Sequence, residues 1–175
     1  MCQCQWRLAE AAHDDSIAEM CRCLYIEDPG QEVVPPDNIH TTLAVLRRSP
    51  DRGRAVILHV NGEICGYALL IAYWSNELGG DICQVDELYV VPQHRNHGHG
   101  SVLFADVERG ELWPGPITAI ALGTTRGNFA ARRLYARLGF EDTGVAMIRR
   151  IRQGSLSAAS GIRLQEGFRT RTSNV

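Results

Sequence analysis

Two acidic residues, Asp86 and Glu87, are the first candidates for proton-transfer chemistry. They lie in the stretch ICQVDELYVV at 82–91, whose other residues are mostly apolar. Burial disfavours a charged carboxylate, so apolar surroundings raise its pKa toward the range in which it can exchange a proton. Side chains alternate along a strand, and we therefore expect the two carboxylates to face opposite sides of a sheet. Both could instead be held by structural partners.

The second candidate is the segment HRNHGHG at 94–100, which follows this strand and precedes a predicted helix. Amide N–H groups at the start of a helix have no intrahelical partner, and the helix dipole adds partial positive charge. Anionic oxygens bind well there, and Gly98 and Gly100 would let them approach the backbone. The pattern therefore predicts a pyrophosphate site, with further positive charge from Arg95 and from any protonated share of His94, His97 and His99.

Two other interpretations of this segment stay open. A glycine-containing turn between a strand and a helix is common without any ligand. A zinc site built from the three histidines is less favoured, because the sequence places no Cys, Asp or Glu ligand beside them at a familiar spacing. The glycine spacing also differs from the G-x-G-x-x-G of dinucleotide folds and from the Walker sequence that ends in Gly-Lys-Ser/Thr.

The six cysteines offer another possible metal site. Cys2, Cys4, Cys21 and Cys23 form two Cys-x-Cys pairs, whereas Cys65 and Cys83 stand alone in strand-like stretches. On a helix, residues two apart point in directions roughly 200° apart, which suits one ion poorly. We expect reduced thiols and no bound metal.

Length and composition describe one ordinary globular domain. The chain has 175 residues, of which 45% are hydrophobic and 22% charged. Its formal net charge of −2 gives no electrostatic case for nucleic acid. The longest apolar run, YALLIAYW at 67–74, is too short to span a membrane, and the N-terminus has no secretory signal pattern. We expect a cytoplasmic protein.

The pattern of apolar residues predicts an α/β architecture with a mixed sheet. The turn Asn61-Gly62 between two apolar runs is the strongest hairpin signal. We expect strands at 4–12, 54–60, 63–74, 82–91, 116–123 and 145–151, and helices at 15–27, 38–47, 101–112 and 128–138, with Asp14 or Asp15, Asp37 and Gly139 at helix ends.

Two motifs resemble those of the GNAT superfamily of N-acetyltransferases. The stretch DELYVVPQHRNHGHGSVLF at 86–104 is similar to its strand followed by Arg/Gln-x-x-Gly-x-Gly/Ala at the start of a helix. The stretch NFAARRLYARLGF at 128–140 resembles the second family block, with Asn, Leu-Tyr and Gly-Phe in order. In order of elements the resemblance covers about 5–151, and we take 1–151 as one domain. The polar, arginine-rich segment 152–175 is then an accessory or disordered tail.

The resemblance implies a mixed, mostly antiparallel central sheet with helices on both faces, and acetyl-CoA as co-substrate. Its pyrophosphate would bind the amides of 96–101, and pantetheine would run beside the strand at Leu88 and Val90 like an added strand. The backbone near Val90 would stabilise the developing oxyanion. The residues implied to contact acetyl-CoA are Leu88, Tyr89, Val90, Arg95, Asn96, His97, Gly98, His99, Gly100, Ser101, Asn128 and Ala131; no metal is implied.

The resemblance also implies catalytic roles. Tyr135 matches the general acid that protonates the departing thiolate, although helix periodicity alone would make it a core residue. Asp86 would be the base or amine anchor, with Glu87 close behind, because a primary amine must lose a proton before it attacks. Asn128 matches a family asparagine that contacts pantetheine or substrate, and it could equally cap the helix that follows.

The acceptor amine is less well defined by the sequence. Family members that acetylate protein N-termini tend to carry a glutamate where this chain has Gly123, which favours a small-molecule amine. Trp74, Asn76 and Glu77 form a turn that could contact a cationic amine. The alternatives are a catalytically silent acyl-CoA-binding module and an acetyltransferase acting on protein amines. The resemblance is compatible with a homodimer.

Overall fold

The computed structural model describes residues 4–29 and 35–142. Its single sheet has five strands in the order of the chain. Neighbouring strands are antiparallel except for the last pair, which is parallel, as in a mixed and mostly antiparallel sheet. The strands are β1 (Cys4–Leu8), β2 (Gly53–Val60), β3 (Glu63–Ser75), β4 (Gly80–Val90) and β5 (Ala119–Leu122).

Helices cover both faces of this sheet, as the sequence predicts. The first two pack on one face, and the third packs on the other. Among the described residues, no helix has both the length and the apolar character that crossing a membrane requires. The helices are α1 (Asp14–Glu27), α2 (Asn38–Arg48), α3 (His99–Glu108) and α4 (Phe129–Arg137).

Alternation along β2 divides the core into two clusters. Ile57 points toward α1 and α2, where Ile17 and Leu43 are fully or almost fully buried. Val56 and Leu58 point the other way, toward Leu103 and its neighbours on α3. Strands of this kind are apolar on both faces because both faces are covered, which explains the apolar run in β4.

The predicted hairpin between β2 and β3 is confirmed. Asn61 and Gly62 both have positive φ, of 52° and 90°, as the two central residues of a type I′ turn require. The first strand is shorter than predicted and ends at Leu8. Asp14 and Asp15 do not cap α1: they lie in its first turn, after the N-cap His13.

Asp14 pairs instead with Arg47 of α2, at 2.6 Å between Oδ1 and Nη2, which links the two helices. Asp37 does precede α2, but its side chain makes no capping hydrogen bond. The strand expected at 145–151 and the tail at 152–175 lie outside the described residues.

The feature of the sheet that matters for function is the parting of β4 from β5. β4 pairs with β3 along its whole length, from Gly80 to Val90. It pairs with β5 only from Ile82 to Val85. Beyond Val85 the two strands diverge, and the backbone of 86–90 has no β5 partner.

The core assignment predicts different costs for two neighbouring substitutions on α3. Leu103 is fully buried, whereas Val102 is 39% exposed. We expect Leu103→Ala to lower the free energy of unfolding by about 2–5 kcal/mol, because it leaves a cavity against the sheet. Val102→Ala should change it by less than about 0.5 kcal/mol. Urea unfolding measures both, and equal effects would contradict the described packing of α3.

Candidate active site

A cavity of about 710 Å³ opens where β4 has parted from β5. Its wall is formed by the end of β4, the start of α3, the loop before α4, α4 itself and the last turn of α1. Most of the residues proposed from the sequence lie on this wall: Leu88, Tyr89, Val90, Arg95, Asn96, Gly98, His99, Gly100, Ser101, Asn128, Ala131 and Tyr135. His97, Asp86 and Glu87 do not.

The loop before α3 has the backbone shape of an anion site. Asn96 and Gly98 both adopt left-handed conformations, with φ of 63° and 83°, and Gly98 is the N-cap of α3. The first helical hydrogen bond runs from the amide of Val102 to the carbonyl of Gly98. The amides of the preceding residues are therefore left without intrahelical acceptors, on the wall of the cavity.

Gly100 lies where the first turn of α3 meets α4. A Cβ at this position would lie 2.8 Å from Cδ2 of Leu134, which is a side chain of α4. The absence of a side chain therefore lets α4 pack against the first turn of α3.

Arg95 does not point its charge at this loop, contrary to expectation. Its Nε donates to the carbonyl oxygen of Val90 at 2.7 Å, and its Nη2 lies 2.6 Å from Oε2 of Glu27 on α1. The guanidinium lies over the ring of Tyr89, 5.2 Å from its centroid, and the Tyr89 hydroxyl donates to Glu27. Arg95 and Glu27 are both more than a third exposed, so this pair adds little stability and can rearrange.

The imidazole of His99 also turns away from the loop. Its Nδ1 lies 3.0 Å from Sγ of Cys4, and its carbonyl accepts from Nε1 of Trp6. Burial, then the nearby charges of His97 and His94, lower the pKa of His99. The ring therefore stays neutral near pH 7, and the protonated share that His99 could add to the charge of the loop is small.

The pairing of β3 with β4 is irregular at the acidic pair. Leu69 pairs with Glu87 and Leu70 with Val85, so Asp86 is an extra residue in the strand. As a result Glu87 faces α1, together with Tyr89, while Val85 and Leu88 pack on the α3 side. The charge of Asp86 contributes to raising the pKa of Tyr25, the α1 residue that donates to Glu87. Val85 and Glu87 thus lie on opposite faces of the sheet, with the exposed Asp86 between them.

Glu87 is held by two phenols. Tyr25 donates to its Oε1 and Tyr67 to its Oε2, both at 2.7 Å. Burial is the main cause that raises the pKa of each phenol, and the nearby Glu87 carboxylate raises it further. Both phenols therefore stay protonated and donate to Glu87. The same burial and charge raise the pKa of the neighbouring Cys21 thiol to about 11.

Asp86 is in a different situation. Within the described part of the chain, no residue makes a hydrogen bond or ion pair to its carboxyl group. Loss of hydration, then the charge of Glu87, raises the pKa of Asp86, although the residue retains exposed surface. A carboxyl group with a raised pKa and an open side is better suited to accept a proton than Glu87, whose oxygens are already engaged.

Tyr135 lies on the cavity wall, in an aromatic cluster. Its ring packs edge-on against Phe104 and Phe140, at centroid distances of 6.0 and 5.7 Å. Burial, then the charge of Asp28, raises the pKa of Tyr135, which keeps the phenol protonated near neutral pH.

Asn128 bridges the two sides of the cavity mouth. Its Oδ1 accepts from the amide of Ala131 at 3.1 Å, which confirms the helix cap. Its Nδ2 donates to Asp28 at the end of α1, 3.0 Å away, and Thr125 donates to the other oxygen of Asp28. Both ends of the Asn128 amide are therefore engaged in this structure.

Several wall residues were missed by the sequence analysis. Arg133 and Arg137 are exposed, one helical turn apart, and both line the cavity from α4. Their spacing of four residues, beside the residues of the second motif, was the signal that could have identified them. Glu27 and Asp28 carried no such signal, because they follow the apolar face of α1.

The turn that was expected to contact the acceptor lies elsewhere. Trp74 pairs with Asp81 at the start of β4, and Trp74 is 63% exposed. Asp86 lies five residue steps further along the strand than Asp81, which is roughly 17 Å. Trp74, Asn76 and Glu77 do not line the cavity.

Comparison with known proteins identifies the fold. A profile of the acetyltransferase (GNAT) family matches residues 17–140. A possible acetyltransferase from Clostridium difficile 630 superposes with a TM-score of 0.70 at 20% identity, over 85% of this chain and 97% of that chain. A CoA complex of the aminoglycoside N-acetyltransferase AAC(6')-Iy superposes with a TM-score of 0.69 at 21% identity, over 87% of this chain and 97% of that chain.

A ribosomal-protein-alanine N-acetyltransferase from Brucella melitensis biovar Abortus 2308 has the same fold, with a TM-score of 0.63 at 19% identity over 85% and 100% of the two chains. Curated protein sequences gave no significant match. At these identities the solved structures establish the fold and not the acceptor. The matched profile covers most of the folded region, and the chain belongs to the GNAT acetyltransferase family.

Proposed function

We propose that this protein transfers the acetyl group of acetyl-CoA to a primary amine of a small molecule, by direct attack in a ternary complex. One observation carries the proposal: the free edge of β4 leads into the loop at the start of α3, and Tyr135 lies on the wall of the same cavity. A strand edge, an anion site and a proton donor are what a thioester of a phosphorylated pantetheine requires.

The residues present fit acetyl-CoA. The amide of Val91 donates to Cys65 of β3, so the peptide groups of Val90 and Leu88 point the other way, toward the open edge. These groups can pair with the amides of pantetheine once Arg95 releases the carbonyl of Val90. The amides of 96–101 would hold the pyrophosphate, and Arg133 and Arg137 are placed to neutralise phosphate charge.

The bound co-substrate supplies an activated acetyl thioester. Asp86 accepts the proton of the attacking amine, directly or through water. Tyr25 and Tyr67 hold the neighbouring Glu87 in place by hydrogen bonds. Tyr135 donates its phenolic proton to the departing sulfur, and the backbone near Val90 stabilises the developing oxyanion. No covalent intermediate on the chain is needed.

A cationic small amine suits the charges around this cavity. Glu27 and Asp28 line the cavity at the end of α1, and Asp86 and Glu87 lie on β4 beside it. A protonated amine is attracted to such a surface before it is deprotonated. Gly123, at the position where acetyltransferases of protein N-termini tend to carry glutamate, also favours a small acceptor.

Mass spectrometry of acetyl-CoA with an amine panel tests the proposal. The panel should contain polyamines, aminoglycosides, amino sugars, amino acids and peptides with free N-termini. We expect acetylated product from a small cationic amine. Acetylation of peptides alone would replace the proposal with a protein acetyltransferase, and tight acetyl-CoA binding without any product would favour a silent binding module.

Tyr135→Phe tests the proton donor. Phenylalanine keeps the contacts with Phe104 and Phe140, so we expect the acetyl-CoA dissociation constant to stay within about twofold of the parent value. Loss of the phenolic proton should lower kcat by about 10²–10⁴-fold. Steady-state kinetics and calorimetric titration give both numbers. A variant that acetylates amines as fast as the parent would exclude Tyr135 as the acid.

The raised pKa of Asp86 predicts a pH dependence. Protonated Asp86 cannot accept the amine proton, so activity should rise as pH increases through this pKa. Asp86→Asn should lower kcat/KM by about 10²–10⁴-fold and remove this limb of the profile. The control is Asp81→Asn, an exposed acidic residue at the other end of β4. An unchanged profile in Asp86→Asn would reject this base.

Gly98→Ala and Gly115→Ala separate backbone strain from cofactor binding. Both glycines have positive φ, 83° and 95°, and a Cβ at either meets no atom within 4 Å. Each substitution should cost about 1–2 kcal/mol of stability. Only Gly98 lies on the cavity wall, so only its variant should bind acetyl-CoA about tenfold more weakly. Equal binding by both variants would contradict the proposed loop site.

A further inference from the structure

We propose that Glu63, Cys65 and His94 bind a zinc ion, or a chemically similar divalent ion, beneath the loop that leads to α3. Their ligand atoms all lie within 4.8 Å of one another. This site departs from the metal-free prediction made from the sequence. It does not depend on the proposed acetyl transfer, because none of its ligands is assigned a catalytic role.

The three residues meet because of the sheet register. Glu63 and Cys65 are two apart at the start of β3, so they share one side of the strand. His94 ends the short helical turn Pro92–His94 that follows β4, and the amide of Val91 bonds to the carbonyl of Cys65. Two separate segments thus supply a carboxylate, a thiol and an imidazole.

A second pair of suitable ligands adjoins this group. Sγ of Cys4 lies 3.0 Å from Nδ1 of His99, whose ring centroid is 6.4 Å from that of His94. Cys4 is also close enough to Cys65 that its charge contributes to raising the pKa of that thiol. Cys4 and His99 lie beside the group of three and are not part of it.

The donor set favours zinc. Thiolate and imidazole ligands together with one carboxylate are typical of Zn²⁺ and poorly suited to Mg²⁺ or Ca²⁺. Bonds of about 2.0–2.3 Å in a tetrahedron place the ligand atoms roughly 3.3–3.8 Å apart, so closure needs a shift of about 1 Å. Without metal, burial and then the charge of Glu63 raise the pKa of Cys65. Binding therefore releases the thiol proton, and affinity should increase with pH.

Metal binding at this site would restrain the loop before α3. Cys65 belongs to the sheet, whereas His94 precedes the loop whose amides line the cavity. An ion shared by the two fixes this loop to β3. The thermal midpoint of the protein should therefore rise when zinc is added.

Cobalt titration of the metal-free full-length protein tests the site, because thiolate ligation of Co²⁺ produces an ultraviolet charge-transfer band. We expect one equivalent of Co²⁺, displaced by one equivalent of Zn²⁺, and a zinc-dependent rise in thermal midpoint. Cys65→Ser should abolish the band from this site. Glu63→Gln, a change at an exposed residue, should weaken zinc binding by at least about tenfold while leaving the metal-free protein folded.

The matched controls are Cys23→Ser on α1 and His40→Gln on α2, which are remote from the cluster. Both should bind the metal like the parent. The proposal is overturned if the parent takes up no stoichiometric zinc. It is also overturned if Cys23→Ser weakens binding as much as Cys65→Ser, or if Glu63→Gln binds as tightly as the parent.

Discussion

Everything at this site depends on β4 losing its neighbour after Val85. A buried strand normally satisfies its peptide groups on both sides, yet among the described residues the last five of β4 pair with β3 and with no strand on the other side. The peptide groups on the open side need another partner. Arg95 supplies one to the carbonyl of Val90, and a pantetheine chain could supply several.

The same divergence places the last turn of α1 across the opening. Glu27 bonds to Arg95 and Tyr89 on the β4 side, while Asp28 bonds to Thr125 and Asn128 on the α4 side. These contacts are polar and partly exposed, so they join the two walls without the rigidity of a packed core. In the proposed reaction, these contacts would open to admit acceptor and co-substrate.

The proposals assign different chemistry to the two faces of the sheet. Toward α1, Glu87 is fixed by Tyr25 and Tyr67, which leaves the neighbouring Asp86 as the carboxyl group with an open side. Toward α3, Cys65 and His94 form the cluster that we assign to a metal. The extra residue in β4 places Val85 and Glu87 on opposite faces, and pairing with β3 continues regularly from Glu87 to Val90.

The sequence predicts the elements well and the contacts between them poorly. The hairpin at Asn61-Gly62 and the buried faces of α1, α2 and α3 follow from local periodicity and turn chemistry, which are properties of neighbouring residues. The strand irregularity at Asp86 is set by the pairing of Leu69 and Leu70 across β3, and no pattern within β4 indicates it.

The sequence did not indicate the longer-range contacts either, because local patterns do not specify tertiary packing. The histidines of the loop had no metal-ligating neighbour in sequence, yet folding brings Cys65 to His94 and Cys4 to His99. Arg95 was expected to face anionic oxygens, and its partner Glu27 lies at the end of a helix whose orientation the sequence does not specify. Such pairs depend on tertiary packing and not on spacing.

The central claim is that acetyl-CoA pairs with the open edge of β4. Residue-resolved hydrogen exchange of the full chain, with and without acetyl-CoA, tests it most directly. The account predicts slower exchange at the amides of Leu88, Val90 and 96–101, with little change at Val85, which lies within the β5 pairing. Slowed exchange confined to other parts of the chain, or none with saturating acetyl-CoA, would contradict it.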